Sequence, residues 1–525
     1  MIKRLATSDT GVINPYWVAV AVSLATFMEV LDTTITNVSL SHIAGSLGAS
    51  PDESTWVLTS YLVANGIVLP IAGWLAGVLG RKRFFLICIA GFTAASFACG
   101  AATSLPMLIF FRLMQGIFGG GLQPIQQAII MDAFPPEKRA AAFGLTGITI
   151  IAAPVIGPTL GGYITDSFDW RWIFYLNIPI GLIAIALVSA LVHDPDHAKA
   201  HGMKKPDYIG LGLVALGLGT LQVMLDKGQQ EDWFSSSFIV VCGIIAVSAL
   251  ITAVFWLLRQ KDPIIQIRLL GTRTFGLCCI SIFTVGLALY SGSAMLPLVT
   301  QSQFGYNATL AGLVISPGAL FLLFLMPMSG KLVGKIQPRY MVTFGFAMSA
   351  IGMWMTAHIT PQTDFTTFVI MRIVQVIGLP FLFIPVSTMA FADIPKELGS
   401  KASSLFALSR NMGGSIGIAV VISYVMHHTQ KHQAEMVTHL SPSNPNYQSL
   451  MATYESAAQN AGMIGMQGTQ TANTMIYQEV LHQSAILGYA DGFILVAYIM
   501  AALAIATLLF MPDMKRGATV PVDAH

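Results

Sequence analysis

The chain has 525 residues, of which 54% are hydrophobic and only 10% are charged, and its mean hydropathy is +0.69. Soluble domains carry about 25% charged residues, so this composition excludes an ordinary soluble enzyme or binding module. It is typical of a polytopic helical membrane protein, whose outer surface is solvated by lipid. The net charge of +2 comes without basic blocks, so we expect no nucleic-acid partner.

Fourteen apolar runs are long enough to span a bilayer, which takes about 20 residues of helix. In chain order they cover residues 17–39, 55–79, 84–103, 106–130, 140–165, 171–192, 208–225, 237–258, 274–300, 309–332, 339–357, 365–391, 401–426 and 484–511. The sequence therefore predicts an all-α polytopic membrane protein with 14 transmembrane helices.

Lysine and arginine are distributed unevenly among the segments that connect these runs. Of the 27 basic residues, 21 lie on one side of the series and three lie inside apolar runs, which leaves only Arg171, Lys227 and Lys431 on the other side. Basic connecting segments stay in the cytoplasm, so this asymmetry predicts that both termini are cytoplasmic.

An internal repeat divides the chain. The motif Arg112-x-x-Gln115 recurs as Arg372-x-x-Gln375, at an offset of 260 residues. Paired helix bundles around a site near the bilayer midplane are common in transporters that alternate access between two sides. The repeat therefore predicts two related six-helix bundles, in residues 1–192 and 261–525, with an inserted two-helix hairpin in residues 193–260.

Residues 427–483 form a long polar segment between the last two apolar runs, rich in Gln, Asn, Ser, Thr and His. Segments of this length are usually functional or disordered. Two interpretations stay open, a flexible or loosely helical loop and a docking surface for another protein.

Ionisable residues inside the apolar runs are the main candidates for a functional site, because they are costly in a bilayer. Glu29 and Asp32 share one face of the first run, and Arg112 lies at a similar depth in the fourth. Desolvation and mutual repulsion favour the protonated form of paired carboxylates, whereas a nearby arginine opposes it. We predict a proton-coupling group of these three residues; the alternative is a permanent structural ion pair with Arg112.

The sequence offers no sign of a bound cofactor. It has no GxxxxGK[ST] nucleotide-binding motif, and its five cysteines show no CxxC spacing. We therefore expect no metal site and no cofactor, with a proton gradient as the energy source.

Several short motifs resemble those of one transporter family. They are Asp32-Thr-Thr-Ile-Thr-Asn37, Gly73-x-Leu-x-x-x-x-Gly80-Arg81-Lys82, Arg112-x-x-Gln115-Gly116, Gly157-Pro158-x-x-Gly161-Gly162 and Trp170-Arg-Trp-Ile-Phe-Tyr-Leu-Asn177. Spread over most of the chain, they resemble the fourteen-span drug:proton antiporters of the major facilitator superfamily, the EmrB/QacA group. The loop motif departs from the family at Gly77, where an acid is usual.

The resemblance implies a bacterial inner-membrane pump that exports hydrophobic toxic compounds in exchange for protons. By analogy, Asp32 is the principal proton carrier and Arg112 modulates it. Glu29 is a departure from the family, a second carboxylate that not every relative need have, and we expect it to widen the substrate range toward cations or to change the proton count. The resemblance also implies a periplasmic adaptor and an outer-membrane channel as partners. The alternatives are a dedicated exporter of one metabolite, fatty acid or siderophore, and a receptor or scaffold that works through residues 427–483.

Further candidate residues are polar side chains or helix-shaping residues within the runs. The predicted substrate-pathway residues are Asn37, Gln115, Gln123, Arg372, Gln375 and Arg410. The predicted conformational residues are Gly73, Gly80, Arg81, Pro154, Gly157, Pro158, Gly161 and Gly162. Small residues allow close helix approach and prolines allow bends, so the second set predicts sealing or hinging of the pathway.

Overall fold

A computed structural model of the chain describes residues 14–195, 207–261, 263–333 and 335–511. It is helical throughout, and these ranges contain no β-strand. The helices of more than one turn are α1 (Pro15–Leu47), α2 (Trp56–Leu79), α3 (Arg81–Gly100), α4 (Leu105–Gly119), α5 (Leu122–Ala133), α6 (Pro136–Ser167), α7 (Asn177–Leu191), α8 (Tyr208–Lys227), α9 (Ser237–Arg259), α10 (Arg273–Phe304), α11 (Ala308–Leu332), α12 (Pro338–Thr356), α13 (Phe365–Ile377), α14 (Leu379–Ala390), α15 (Gly399–Thr438), α16 (Pro445–Asn460) and α17 (Met466–Phe510).

Each predicted span coincides with helix, but the predicted count is not confirmed. Within the described ranges, 12 helical stretches are long and apolar enough to cross a membrane. The predicted spans 140–165 and 339–357 form α6 and α12, which are not among the 12. Several side chains of α6 lie outside the described part of the chain, so this count does not test α6. In α12, Arg339 and small polar residues lower the apolar content. Seven of the basic residues used for the orientation lie outside the described ranges, namely Lys3, Arg4, Lys199, Lys204, Lys205, Lys515 and Arg516.

The two repeats share an interrupted helix. The stretch that carries Arg112 breaks at Gly120 and Gly121 into α4 and α5, and the stretch that carries Arg372 breaks at Gly378 into α13 and α14. Elsewhere, the first half of the chain packs on the second along two seams, α6 on α11 and α2 on α15. The first helix of the inserted hairpin, α8, packs on both α2 and α15 beside the second seam.

Small residues allow close helix contacts at the side of the molecule where α1 begins. Gly80 adopts φ +84° between α2 and α3, a conformation that glycine tolerates best. Gly73 lies against the backbone of Ser400 and Lys401, so a side chain at Gly73 would clash with the start of α15. Arg81 forms an ion pair with Asp132 at the end of α5, which gives the loop motif an acidic partner although Gly77 is not acidic.

The segment 427–483 is helical. Helix α15 continues through it to Thr438, α16 lies within it, and α17 begins inside it at Met466. Side-chain hydrogen bonds join α16 to α17, for example from Thr469 Oγ1 to Glu455 Oε1 at 2.9 Å. This helical structure is compatible with the loosely helical form of the first interpretation, and the docking surface stays a prediction.

Candidate functional site

A cavity of about 200 Å³ lies between the two halves of the chain, where α1, α2, α5, α8, α10 and α15 meet. Its wall is mostly apolar and carries a few polar side chains. Those used below are Glu29, Tyr61, Asn65, Gln123, Asp226 and Tyr290. No lysine, arginine or histidine belongs to the wall formed by the described residues. A mainly apolar cavity with a few placed polar groups is the usual form of a small-molecule site.

Glu29 contributes a carboxylate to this cavity and is only 3% exposed. Its Oε1 accepts hydrogen bonds from the Tyr61 hydroxyl at 3.3 Å and from Asn65 Nδ2 at 3.2 Å. Its Oε2 accepts one from Gln123 Nε2 at 2.7 Å. Tyr61 and Asn65 are four residues apart, so they present their polar groups on the same face of α2. Both carboxylate oxygens are therefore satisfied although the group is buried.

Gln123 connects Glu29 to the other half of the chain. Its amide nitrogen donates to Glu29, and its carbonyl oxygen accepts a hydrogen bond from Arg410 Nη2 on α15. Arg410 is fully buried, and its Nε and Nη1 make no hydrogen bond in the described part of the chain. Hydrogen bonds through the neutral side-chain amide of Gln123 therefore connect the acidic Glu29 of the first half to the cationic Arg410 of the second half.

Asp32 lies one turn further along α1 and is closed off from the cavity. Its Oδ2 accepts from Arg112 Nη1 at 2.5 Å, and its Oδ1 accepts from Gln115 at 3.0 Å and from Asn177 at 2.6 Å. Asp32 is 2% exposed and Arg112 is fully buried. The contact that the similar depth of Asp32 and Arg112 makes possible is thus present as an ion pair with two additional amide donors.

Tyr61 touches both carboxylate sites. Its hydroxyl bonds Glu29, and its ring faces the Arg112 guanidinium at 4.4 Å from the ring centroid. The two acids of α1 therefore differ in environment: Glu29 faces a cavity and amide donors, while Asp32 faces a fixed cation. A carboxylate of the first kind can bind a proton or a cationic ligand, whereas one of the second kind is neutralised already.

A family model described as Major Facilitator Superfamily matches residues 22–418. The chain belongs to this superfamily. It is 36% identical over 475 residues, or 90% of this chain and 91% of the relative, to the Multidrug export protein EmrB of Escherichia coli K12. It is 34% identical over 503 residues, or 95% of this chain and 97% of the relative, to the Fatty acid resistance protein FarB of Neisseria gonorrhoeae.

The solved structure of the proton:xylose symporter XylE shares the fold, with a TM-score of 0.58 over 96% of this chain and 97% of XylE at 13% identity. These comparisons confirm the resemblance to EmrB-type transporters that the motifs predict. The chain is therefore a multi-pass secondary transporter of the major facilitator superfamily and not an enzyme.

In the described residues of the second half, the buried Arg372 has no acidic hydrogen-bond partner. Arg372 donates to Gln375 Oε1 at 3.1 Å and to Ser293 Oγ at 3.0 Å, while Gln375 donates to Thr356 Oγ1 at 2.6 Å. The position 260 residues after Asp32 is Gly292, which explains why no carboxylate meets Arg372 there. Arg372 and Gln375 do not line the cavity described above.

The remaining predicted residues separate into packing residues and one exposed side chain. Gly157 and Gly161 of α6 lie against Thr34 and Ile35 of α1, where a side chain would clash. Pro158 and Gly162 are buried in the same helix, and α6 is continuous through Pro154, whose side chain lies outside the described part of the chain. Asn37 is exposed and does not line the cavity.

Sequence reasoning missed part of the site. Tyr61, Asn65 and Tyr290 line the cavity, and Asn177 completes the shell around Asp32. The available signal was polar residues inside apolar runs, and for Tyr61 and Asn65 their spacing of four. That signal is weak, because many such residues satisfy only their own helix backbone.

Proposed function

We propose that this protein exports hydrophobic toxic compounds across a bacterial inner membrane in exchange for protons. The observation that carries the proposal is Glu29, a buried carboxylate on the wall of a cavity between the two halves. The similarity to the Multidrug export protein EmrB over 90% of the chain supports drug efflux. An exchanger needs one group for which substrate and proton compete, and Glu29 has the position for it.

In this mechanism, protonation of Glu29 weakens the connection between the halves. The ionised carboxylate accepts a charge-assisted hydrogen bond from Gln123, and such bonds are about twice as strong as neutral ones. A proton on Glu29 removes that charge, so Gln123 and Arg410 are held less firmly. The halves are then free to move, which releases the substrate on one side and the proton on the other.

Asp32 has a different role in the proposal. The sequence resemblance makes it the principal proton carrier, yet its carboxylate is paired with Arg112 in this conformation. We infer that Asp32 takes a proton only in a conformation that separates it from Arg112. The protonation of Glu29 then depends on what the cavity contains, whereas the protonation of Asp32 depends on the movement of α1 against α4, which separates it from Arg112.

The proposed membrane arrangement keeps all 14 predicted spans, including α6 and α12. Helix α6 packs between α1 and α11, and α12 packs on α17, so both have partners other than lipid along their length. Such a position accommodates the less apolar α12. We propose two six-helix bundles, an inserted hairpin of α8 and α9, and both termini in the cytoplasm.

We also propose that segment 427–483 binds a periplasmic adaptor that leads to an outer-membrane channel. At the turn between α16 and α17, Ile464 is 78% exposed and Met466 is 80% exposed. Exposed apolar side chains at the tip of a polar helical segment are suited to a protein partner.

Fatty acid export is the second candidate function. The Fatty acid resistance protein FarB is 34% identical over 95% of this chain. Two buried arginines of the second half, Arg372 and Arg410, have no hydrogen bond to a carboxylate in the described residues, so they are available to a carboxylate substrate in another conformation.

Transport by the reconstituted protein tests the proposal and separates the two candidates. We expect a pH gradient across proteoliposomes to drive efflux of tetraphenylphosphonium and chloramphenicol, with collapse of the gradient stopping it. Efflux of oleate alone would favour the fatty acid exporter. If no compound moves in response to the gradient, the exchange mechanism is wrong.

A further inference from the structure

The inserted hairpin takes part in the cavity. Helix α8 contributes Gln222, Leu225, Asp226 and, just after its end, Gln229 to the wall. A hairpin that served only as a spacer between the two bundles would contribute no side chain to a cavity inside the molecule. Here it packs on both α2 and α15. The end of α8 lies beside the start of α2, where Lys227 bonds Thr55, whereas the start of α15 lies near the opposite end of α2, at Gly73. The end of α8 is therefore on the side of the molecule where α15 continues into segment 427–483.

Asp226 gives this wall a second carboxylate. It is half-buried, and its Oδ2 accepts a hydrogen bond from the Thr59 hydroxyl of α2. The adjacent Lys227 is not part of the wall, since its ammonium bonds Thr55 and lies 4.9 Å from the centroid of the Trp56 ring. Of these two neighbouring charged residues, only the acidic Asp226 lines the cavity.

The two wall carboxylates lie at different heights. Glu29 is level with Tyr61 and Asn65 of α2, and Asp226 is level with Thr59. The rise of a helix places these levels about 6 Å apart along α2. No cationic side chain of the described residues lies on the wall between them.

We propose that Asp226 is a substrate-binding residue that selects positively charged compounds, and that the inserted hairpin thereby sets the charge preference of the transporter. A cation meets Asp226 at the end of the cavity near segment 427–483 and Glu29 at the deeper end. Tyr61 and Tyr290 also line the cavity and offer aromatic surface to the apolar part of the ligand. This inference rests on the proposed export function and names the substrate class of the same site.

Steady-state transport by Asp226→Asn in proteoliposomes tests the inference. We expect the KM for tetraphenylphosphonium to rise about tenfold, which corresponds to about 1.4 kcal/mol of binding. The KM for the dication dequalinium should rise by a larger factor. The KM for neutral chloramphenicol and the kcat values should stay within about twofold of those of the wild-type protein. Glu231→Gln is the matched control, because Glu231 is an exposed acid near the same helix end and does not line the cavity.

Two further variants distinguish substrate binding from a purely structural role of Asp226. The Asp226→Glu variant keeps a carboxylate at this position, so it should show the preference for cations that Asp226→Asn loses. Thr59→Val keeps the acid and removes its hydrogen bond, so it should retain most of the selectivity. Equal changes for charged and neutral compounds, or none, would overturn the inference while the export function stands. A wild-type protein that responds to no pH gradient would instead refute the proposed function itself.

Discussion

Two carboxylates on one helix face, three residues apart, have different surroundings. Glu29 receives hydrogen bonds from neutral groups around a cavity, whereas Asp32 is bound to a guanidinium and two amides. Removal of one partner from a buried ion pair costs about 3–5 kcal/mol, because it leaves an uncompensated charge. Substitutions at the two positions should therefore affect stability differently.

For Asp32→Asn we expect loss of pH-driven efflux together with a stability loss of about 3–5 kcal/mol, since Arg112 keeps its charge in the protein interior. Thermal unfolding in detergent and transport in proteoliposomes measure the two effects. The double variant Asp32→Asn with Arg112→Gln should recover stability and stay inactive. Wild-type efflux by either variant would contradict a role for Asp32 in coupling.

At the scale of elements, glycine residues determine how closely two helices approach each other. Gly73 and Gly77 lie one turn apart on α2, and their surroundings differ. A side chain at Gly73 would meet the backbone at the start of α15, while one at Gly77 would meet nothing within 4 Å. The close approach of α2 to α15 therefore depends on the first glycine and not on the second.

We predict that Gly73→Val separates the ends of α2 and α15 and lowers the transport rate at least tenfold in a folded protein. Gly77→Val is the matched control and should transport at close to the wild-type rate. Cysteine cross-linking between the two helix ends reports the separation directly. Equal activity of the two valine variants would show that this contact does not take part in the transport cycle.

The sequence predicts helix positions well because the apolar runs are long and the bilayer requires helical hydrogen bonding. It allows an Asp32–Arg112 contact, since both residues lie at similar depth, but depth alone does not establish that the two side chains meet. It does not predict that Gln123 bonds Arg410, because that bond depends on how the two halves pack. Asn37 shows a second limit, since membership in a motif does not fix the direction of a side chain, which rotates by about 100° per residue.

At the scale of the whole molecule, the membrane helices and segment 427–483 have separable roles. The cavity lies among the membrane helices, and the exposed apolar tip lies at the turn between α16 and α17. Transport by the isolated protein should depend on the cavity alone, whereas drug resistance in cells should depend on the cavity and on the exposed tip. A scaffold that works through the segment would instead lose all function when the tip changes.

We predict that the double variant Ile464→Glu with Met466→Glu retains efflux in proteoliposomes and loses drug resistance in cells, because charge at the tip prevents docking of an adaptor. Gln459→Glu is the control, since it adds one charge to an exposed position of α16 near the tip. Unchanged resistance in cells that carry the double variant would exclude this tip as the docking surface.

Proton flux through Glu29→Gln tests the central claim most directly. A pH-sensitive dye in proteoliposomes reports proton movement while tetraphenylphosphonium is exported, and the wild-type protein should couple the two. We predict that the variant still moves the compound down its own concentration gradient, without proton flux and without response to an imposed pH gradient. Wild-type proton flux in Glu29→Gln would contradict the account, since the cavity carboxylate would then not be the group that exchanges protons for substrate.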